Sequence, residues 1–253
     1  MKTAICISGL PRGYNITFDN IIKKLGNNNC DIFIHTWDID NDNKRFTNAP
    51  IIPHDKFKYF SAHSNVKDIE ITEFASNWNF LNVPTVANIV PLFYSIWCAN
   101  QLKVKYEDTH NFKYDIVIRS RFDSYYENEL PLHEIEQAKS DPNLVYIGLN
   151  AHNKGSFNAR QLFKSEYTGN TFVADNFAFG STYALNVYSN LYTKLRDVFN
   201  YTIVPEECLG YYLNANNMLY KWTDYRYKSL ICWQPNNIVF ESDYEDKQTI
   251  HFT

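Results

Sequence analysis

The chain has 253 residues and a net charge of −4, and 45% of its residues are hydrophobic. This length supports one domain with a full core and argues against two large domains. The Lys and Arg residues are scattered along a mildly acidic chain. This distribution argues against a protein held on nucleic acid by contacts to phosphate charges.

Neither the N-terminus nor the cysteines indicate export. No apolar run is long enough to span a bilayer, and Met1 and Lys2 lead directly into a predicted strand rather than a signal peptide. We therefore expect a cytoplasmic protein without a transmembrane segment. The cysteines are far apart in apolar sequence, which indicates reduced core thiols rather than disulfides or a zinc site. They are Cys6, Cys30, Cys98, Cys208 and Cys232.

The first elements alternate between strand and helix. Thr3 to Ser8 and Cys30 to Trp37 are apolar runs that predict buried strands, and Ile16 to Leu25 between them has helical spacing of apolar residues. Such strands joined by helices are typical of a parallel sheet covered on both faces. The sequence therefore predicts an α/β fold, with a mostly parallel central sheet flanked by helices, in one domain spanning residues 1–253.

The later segments continue this alternation. Apolar residues recur at helical spacing from Pro84 to about Asp108, with Pro91 as an expected kink or break. Further helices are predicted at Pro131 to Lys139, after a cap at Ser181 or Thr182, and from Pro205. Further strands are predicted at Asp115 to Ile118, Asn143 to Leu149 and Phe172 to Ser181.

The first strand ends in the turn Ser8-Gly9-Leu10-Pro11-Arg12-Gly13. Ligands of open α/β sheets bind beyond the carboxyl ends of the strands, so this turn is a candidate site. A glycine lets the backbone turn close to a ligand, and an arginine before a helix can hold a diphosphate. A surface arginine in a turn is the alternative. The turn lacks the endings of a P-loop and of the dinucleotide-binding motif.

The second strand ends in His35-Thr36-Trp37-Asp38, which puts His35 and Trp37 on one face if the strand continues. An aromatic residue at a strand end stacks on a base or packs a loop, and packing is the more common role. His35 is open to a ligand or a structural role.

Arg119, Arg121 and Asp123 follow another apolar strand. Charged residues rarely end a core strand without a partner or a ligand, and alternation would put all three on one face. Two cations and one carboxylate are the groups needed to hold a diphosphate, with Asp123 bridging it through Mg²⁺ or Mn²⁺. An internal salt bridge is the alternative.

Asp175 and Asn176 interrupt the predicted strand Phe172 to Ser181. A buried acid must be hydrogen-bonded or functional, so Asp175 is a candidate for binding sugar hydroxyls or for a general base, with a structural role in a loop as the alternative. Glu206 and Glu207 begin the last predicted helix. They are expected to complement its dipole, with contact to an acceptor as the second option.

Taken in chain order, these segments resemble glycosyltransferases of the GT-A fold. The similarity is to a set of bacterial and viral sugar transferases, and it covers Lys2 to about Leu213. The motifs that carry it are Ser8-Gly9-Leu10-Pro11-Arg12, Asp31 to Asp38, Tyr114 to Asp123, and Asp175 to Ser181.

This resemblance implies transfer of a sugar from a nucleotide-diphosphate donor to a hydroxyl of a glycan, polysaccharide or glycoprotein acceptor. It implies a nucleotide-binding half at 1–125 and an acceptor half at 126–253, with Asp175 and Glu206 as catalytic candidates. The implied donor-binding residues are Ser8, Gly9, Arg12, His35, Trp37, Arg119, Arg121 and Asn176.

The resemblance also implies a metal ion, Mn²⁺ or Mg²⁺. Many relatives carry Asp-x-Asp where this chain has Arg121-Phe122-Asp123, so Asp123 is the one expected protein ligand. Arg119 or Arg121 is the alternative means of offsetting the diphosphate charge.

Two other functions stay open. The turn from Gly9 to Gly13 is similar to the phosphate loop of sulfotransferases that use a phosphoadenosine sulfate donor, although Tyr14-Asn15-Ile16 lacks the hydroxyl groups that follow the loop there. The third option is a non-catalytic carbohydrate-binding protein, in which Arg119, Arg121 and Asp123 pair only with each other.

Overall fold

The computed structural model describes residues 1–26, 29–39, 57–74, 86–149, 173–234 and 237–240. The strands are β1 (Thr3–Gly9), β2 (Asp31–Trp37), β3 (Val66–Thr72), β4 (Ile116–Ser120), β5 (Ser124–Tyr126), β6 (Leu144–Leu149), β7 (Ala178–Gly180), β8 (Leu219–Gln234) and β9 (Asn237–Phe240). The helices are α1 (Tyr14–Gly26), α2 (Lys58–Ser61), α3 (Val86–Thr109), α4 (Leu132–Ser140), α5 (Thr182–Ser189), α6 (Leu195–Val198) and α7 (Pro205–Ala215).

The central sheet has the strand order β3-β2-β1-β4-β7-β6-β8. Within this order the pairs are parallel, except that β7 runs antiparallel to both β4 and β6. The later part of β8 pairs antiparallel with β5 and β9. The prediction of a mostly parallel sheet flanked by helices is therefore confirmed.

The two faces of the sheet bury different halves of the core. Cys6 pairs in register with Phe33 and with Arg119, so these residues point to the same side of the sheet. That side packs against α3, whereas the intervening residues, such as Ile5 and Ile34, pack on the side of α1. The inner strands β1, β2 and β4 are buried on both faces, because neither face meets water.

The face that packs against α3 changes from apolar to polar toward the carboxyl ends of the strands. In β1 it runs from Ala4 and Cys6 to Ser8, and in β2 it runs from Phe33 to His35. In β4 it ends on Arg119, next to β1. Parallel strands deliver their carboxyl ends to one edge, so these polar side chains are brought together there.

Several predicted boundaries were wrong. The break expected at Pro91 is absent, because α3 continues through it; a proline near the start of a helix removes only one hydrogen bond. Strand β7 is short, so Asp175 and Asn176 precede it instead of interrupting it. The edge strand β3 was missed because its sequence alternates polar and apolar residues instead of forming an apolar run. The C-terminal strands β8 and β9 were also missed.

Other predictions are confirmed in detail. Ser181 caps α5 by accepting a hydrogen bond from the backbone N–H of Ala184, and Pro205 occupies the first turn of α7. The cysteine side chains that the structure describes are buried free thiols, namely Cys6, Cys30, Cys98 and Cys208; the side chain of Cys232 lies outside the described part. In the described ranges, no helix combines the length and hydropathy needed to cross a membrane.

A buried ion pair joins α3 to α5. Lys103 and Glu107 are fully buried, with Lys103 Nζ 3.2 Å from Glu107 Oε2. Lys103 also donates hydrogen bonds to Thr182 and Asn186, and Glu107 accepts them from Thr182 and from the backbone N–H of Tyr114. A buried charge that loses its partner is costly, so this pair holds α5 against the sheet.

Lys103→Met is expected to lower the free energy of unfolding by about 3–5 kcal/mol, because it leaves the Glu107 carboxylate buried without its nearest cation. Chemical denaturation at pH 7 measures the change. The matched control is Lys113→Met, since Lys113 is 54% exposed and pairs with the same carboxylate. We expect at most about 1 kcal/mol from the control. Equal losses in the two variants would contradict the assigned importance of the buried pair.

Candidate functional site

A cavity of about 190 Å³ lies at the carboxyl ends of β1, β2 and β4, beside the N-terminal part of α3. An apolar cavity of ~150 Å³ holds a benzene molecule, so this volume suits a diphosphate-sized group. The lining contains most of the residues predicted from the three strand ends, together with Asp175. It consists of Ser8, Gly9, Leu10, Arg12, Trp37, Phe74, Pro91, Leu92, Arg119, Arg121, Asp123 and Asp175.

The turn after β1 is fixed from both sides at Gly9. Its N–H donates to Ser95 Oγ at 2.9 Å, and its carbonyl accepts from Thr36 Oγ1 at 2.9 Å. Gly9 has a φ of +112°, a conformation that residues with a side chain rarely adopt, although a Cβ atom added here would meet nothing within 4 Å. This backbone conformation directs the chain into the tight turn that carries Arg12. The N–H of Arg12 donates to the carbonyl of Leu10.

Helix α1 holds the segment that follows β4. The Thr17 hydroxyl donates to the carbonyl of Phe122. The side chain of Asn20 forms two hydrogen bonds with the backbone of Tyr126, one to its N–H and one to its carbonyl. These contacts position the chain at Arg121 and Asp123, which lie beyond the end of β4. Arg121 and Asp123 therefore share the cavity with Arg119 because this turn is anchored. They do not alternate along one strand, as the sequence predicted.

Arg121, Asp123 and Asn176 form a clamp at one side of the cavity. Arg121 donates from Nε and Nη2 to the two carboxylate oxygens of Asp123, at 2.8 and 2.7 Å. Its Nη1 donates to Asn176 Oδ1 at 2.8 Å. Burial opposes ionisation of Asp123, but Arg121 and then Arg12 hold the pKa of its carboxyl group below the usual value. The internal salt bridge considered from the sequence is therefore present.

Arg119 and Arg12 form no ion pair within the described part of the chain. Arg119 is only 2% exposed, and its Nη1 donates to the carbonyl of Asn176 at 2.9 Å. Within the ranges that the structure describes, the Nε atoms of both arginines are buried without a hydrogen-bond partner, as is the hydroxyl of Ser8. Burial lowers the pKa of each guanidinium group. Unsatisfied buried donors and cations are costly, so their convergence on one cavity indicates an anion site.

Asp175 supplies a carboxylate to the same cavity. It is 8% exposed, and among the described residues its carboxylate forms no hydrogen bond. Glu206 is not part of the lining, although its carbonyl accepts a hydrogen bond from the N–H of Val173. Burial, followed by the charge of Asp175, raises the pKa of Glu206. Glu207 accepts a hydrogen bond from the hydroxyl of Thr202 and is not part of the lining.

His35 and Trp37 have different relations to the cavity. His35 is fully buried behind it, with Nδ1 2.7 Å from Ser95 Oγ and Nε2 3.0 Å from Thr72 Oγ1. Trp37 lines the cavity but is 2% exposed, and its ring packs edge-on against Phe74 at 5.2 Å. His35 thus supports the site through Ser95, which accepts the hydrogen bond from Gly9, and through its ring contact with Trp37 at 5.1 Å.

The residues at Asp123 do not fit a divalent cation. Mg²⁺ and Mn²⁺ take several oxygen ligands, and both oxygens of Asp123 already accept hydrogen bonds from Arg121. In the described ranges, the group with metal-ligating atoms close together is His35, Glu70 and Cys98, within 4.8 Å of one another. Both ring nitrogens of His35 contact hydroxyl groups there, and burial raises the pKa of the Cys98 thiol to about 12.

Sequence reasoning missed the apolar wall and the supporting hydroxyl groups. Phe74, Pro91 and Leu92 line the cavity from segments with no charged motif. Tyr188, a residue of α5, has a buried hydroxyl without a partner among the described residues. Burial raises its pKa, and the charges of Arg119 and Asp175 act on it in turn. A tyrosine on an otherwise apolar helix face was the available signal, since its hydroxyl needs a partner.

A protein-family model described as a domain of unknown function (DUF7796) matches residues 1–158. The match covers more than half of the chain, so the chain belongs to this family. It includes the strand ends with Arg12, Arg119, Arg121 and Asp123, and it ends before Asp175. A search of curated proteins finds no match.

Protein stability is expected to fall as the pH drops from about 6.5 to 4. Burial lowers the pKa of His35 from 6.5 to about 4, so the unfolded chain binds a proton in this window and the folded chain does not. The loss assigned to His35 is about 3 kcal/mol, because one pKa unit corresponds to ~1.4 kcal/mol. The surrounding groups are Ser95, Thr72, Glu70 and Cys98, with the rings of Trp37 and Tyr94.

Urea unfolding of wild type and of His35→Asn at pH 7 and pH 4.5 tests this. Other carboxyl groups titrate in both proteins, so the difference between the two pH dependences isolates His35. The variant should be less stable at pH 7 and should lose less stability on acidification. The same pH dependence in both proteins would show that His35 is not a buried neutral group.

Proposed function

We propose that this member of the DUF7796 family is a glycosyltransferase with a GT-A-like fold, which moves a sugar from a nucleotide-diphosphate donor to an acceptor hydroxyl. One observation carries the proposal. A cavity at the carboxyl ends of parallel strands combines two guanidinium groups that lack an ion pair, Arg12 and Arg119, with the open carboxylate of Asp175.

The sheet supports the GT-A-like assignment at the level of architecture. Ligands of open α/β sheets bind beyond the strand carboxyl ends, where this cavity lies. Residues of the first, second and fourth strands meet there, as the resemblance implies for a nucleotide site. Asp175 and Asn176 come from the later part of the chain, which agrees with a donor half and an acceptor half that face each other.

At the donor side, Arg12 and Arg119 would bind the diphosphate. Guanidinium groups bind phosphate oxygens with charge-assisted hydrogen bonds, and the Ser8 hydroxyl adds a neutral donor. Trp37 and Phe74 supply an aromatic wall next to these groups. Charge develops on the diphosphate as the glycosidic bond breaks, and fixed cations at that position lower the barrier.

At the acceptor side, Asp175 would act as the general base. The acceptor oxygen bonds to the anomeric carbon, the bond from that carbon to the diphosphate oxygen breaks, and the hydroxyl proton passes to Asp175. The nucleoside diphosphate leaves with the bonding electrons. Glu206, the second catalytic candidate, does not line the cavity, and burial followed by the charge of Asp175 raises the pKa of its carboxyl group, so we assign it no direct part in the proton transfer.

Donor binding is expected to raise the melting temperature of the protein, since a ligand that binds only the folded state stabilises it. The screen uses UDP, GDP, CMP and adenosine 3′,5′-bisphosphate. We expect a shift with UDP or GDP. A shift with the bisphosphate alone would favour the sulfotransferase, and no shift with any of the four would favour a carbohydrate-binding protein.

The variant Arg12→Ala tests whether the nucleotide binds in this cavity. It should weaken binding of the active nucleotide by about tenfold or more, because a hydrogen bond to a charged group contributes ~1.5–3 kcal/mol. The matched control is Arg196→Ala, since Arg196 is an exposed residue of α6 and lies outside the cavity lining. Equal weakening in both variants would indicate a nonspecific charge effect.

Asp175→Asn should reduce turnover by about 10²–10⁴-fold while nucleotide binding persists, because the amide cannot accept the acceptor proton. The measurement is the release of nucleoside diphosphate, with water as the acceptor, from a panel of sugars linked to the nucleotide that the screen selects. Asp197→Asn, on the exposed surface of α6, is the control. If Asp175→Asn turns over at the wild-type rate, Asp175 is not the base.

A further inference from the structure

We infer that the diphosphate is held by arginine side chains without a divalent cation, and that Asp123 is a positioning residue for Arg121 rather than a metal ligand. This inference rests on the proposed function, because it concerns how the same cavity binds its donor. It replaces the metal site that was expected from the resemblance.

Arg121 already occupies the carboxylate of Asp123. This carboxylate is 5% exposed, and both oxygens face the fork of Arg121 in a two-point hydrogen-bonded pair. A metal ion at Asp123 would have to displace this guanidinium and then lie beside three arginines, since Arg12 and Arg119 line the same cavity. Like charges at such short range in a partly dry site repel strongly.

The buried polar atoms at this cavity are hydrogen-bond donors, which an anion satisfies and a cation does not. At this cavity, the buried atoms without a hydrogen-bond partner among the described residues include Ser8 Oγ, Arg12 Nε and Arg119 Nε. Both nitrogens carry N–H donors, and the hydroxyl can donate as well. Oxygens of an anion satisfy these donors, whereas a cation cannot accept a hydrogen bond. Ser8 and Arg119 are 1% and 2% exposed, so bulk water does not serve them.

The arginines of the cavity lining carry positive charge for the diphosphate. Arg121 and Asp123 neutralise each other as an ion pair, which leaves Arg12 and Arg119 as the cations available to a ligand. Two guanidinium groups match the dianionic diphosphate of a nucleotide sugar. Asp175 then remains for the acceptor. With the donor bound, the three arginines of the lining offset the two diphosphate charges and Asp123, and Asp175 carries the one remaining negative charge.

Asp123 orients the side chain of Arg121 in this arrangement. By holding Nε and Nη2 of Arg121, it directs Nη1 toward the side chain of Asn176. The carbonyl of Asn176 in turn accepts from Nη1 of Arg119. Asp123 thereby sets the orientation of Arg119 through two intermediate residues, without contact to the donor.

Calorimetric titration of the full chain with UDP and with GDP tests the inference, in buffer with EDTA and in buffer with Mn²⁺. We expect dissociation constants that differ by less than about threefold between the two buffers. Arg119→Met should weaken binding about tenfold or more in both, as loss of a charged hydrogen-bond donor does. Asp123→Asn should weaken binding equally in both buffers, and Asp123→Glu should recover part of the affinity.

The outcomes separate this inference from the proposed function. Binding that Mn²⁺ strengthens about tenfold or more, with the gain lost in Asp123→Asn, overturns the inference and leaves the glycosyltransferase standing. Absence of binding by either nucleotide in both buffers removes the proposed function and the inference with it. The comparison of wild type in EDTA and Mn²⁺ needs no variant, so it decides the metal question even if Asp123→Asn fails to fold.

Discussion

The site depends on the burial of the Arg119 guanidinium at the end of a strand within the central sheet. A cation removed from water must find compensating partners, and among the described residues the one hydrogen bond of this guanidinium goes to the backbone carbonyl of Asn176. The charge of Asp175 also favours the charged form of Arg119, but no ion pair joins the two groups in the described part of the chain, and Asp123 is held by Arg121. We propose that an anion from outside completes the arrangement.

The elements around the cavity are arranged to keep these charges in place. Ser95 of α3 fixes Gly9, while His35 fixes Ser95 from behind. Helix α1 anchors the turn after β4. Packing and hydrogen bonds thus restrict the motion of the charged side chains, which is the condition under which fixed dipoles and cations favour a developing charge.

Asn176 joins the two parts of the chain that the sequence assigned to donor and acceptor. Its side chain and its carbonyl accept from Arg121 and Arg119, which belong to the first part. The turn before β7 therefore moves with the donor-side arginines. The buried Lys103–Glu107 pair reinforces this link by tying α3 to the helix that follows β7. A site built from both parts requires this coupling, because the reacting groups must keep a fixed separation.

The sequence by itself determined the α/β architecture and the approach of Arg12 and Arg119 at one edge of the sheet. Continuous apolar runs mark strands buried on both faces, and parallel strands bring their carboxyl ends to one edge whatever the details of packing. The turn anchored by α1, and not strand alternation, adds Arg121 and Asp123 to the same cavity. Only the tertiary structure decided which charges are paired. The sequence left open whether Asp123 pairs with Arg121 or binds a metal ion, and it could not show that His35 serves Ser95, because these two residues come from distant elements. Pairing depends on distances of a few tenths of an ångström, which residue spacing along a strand does not fix.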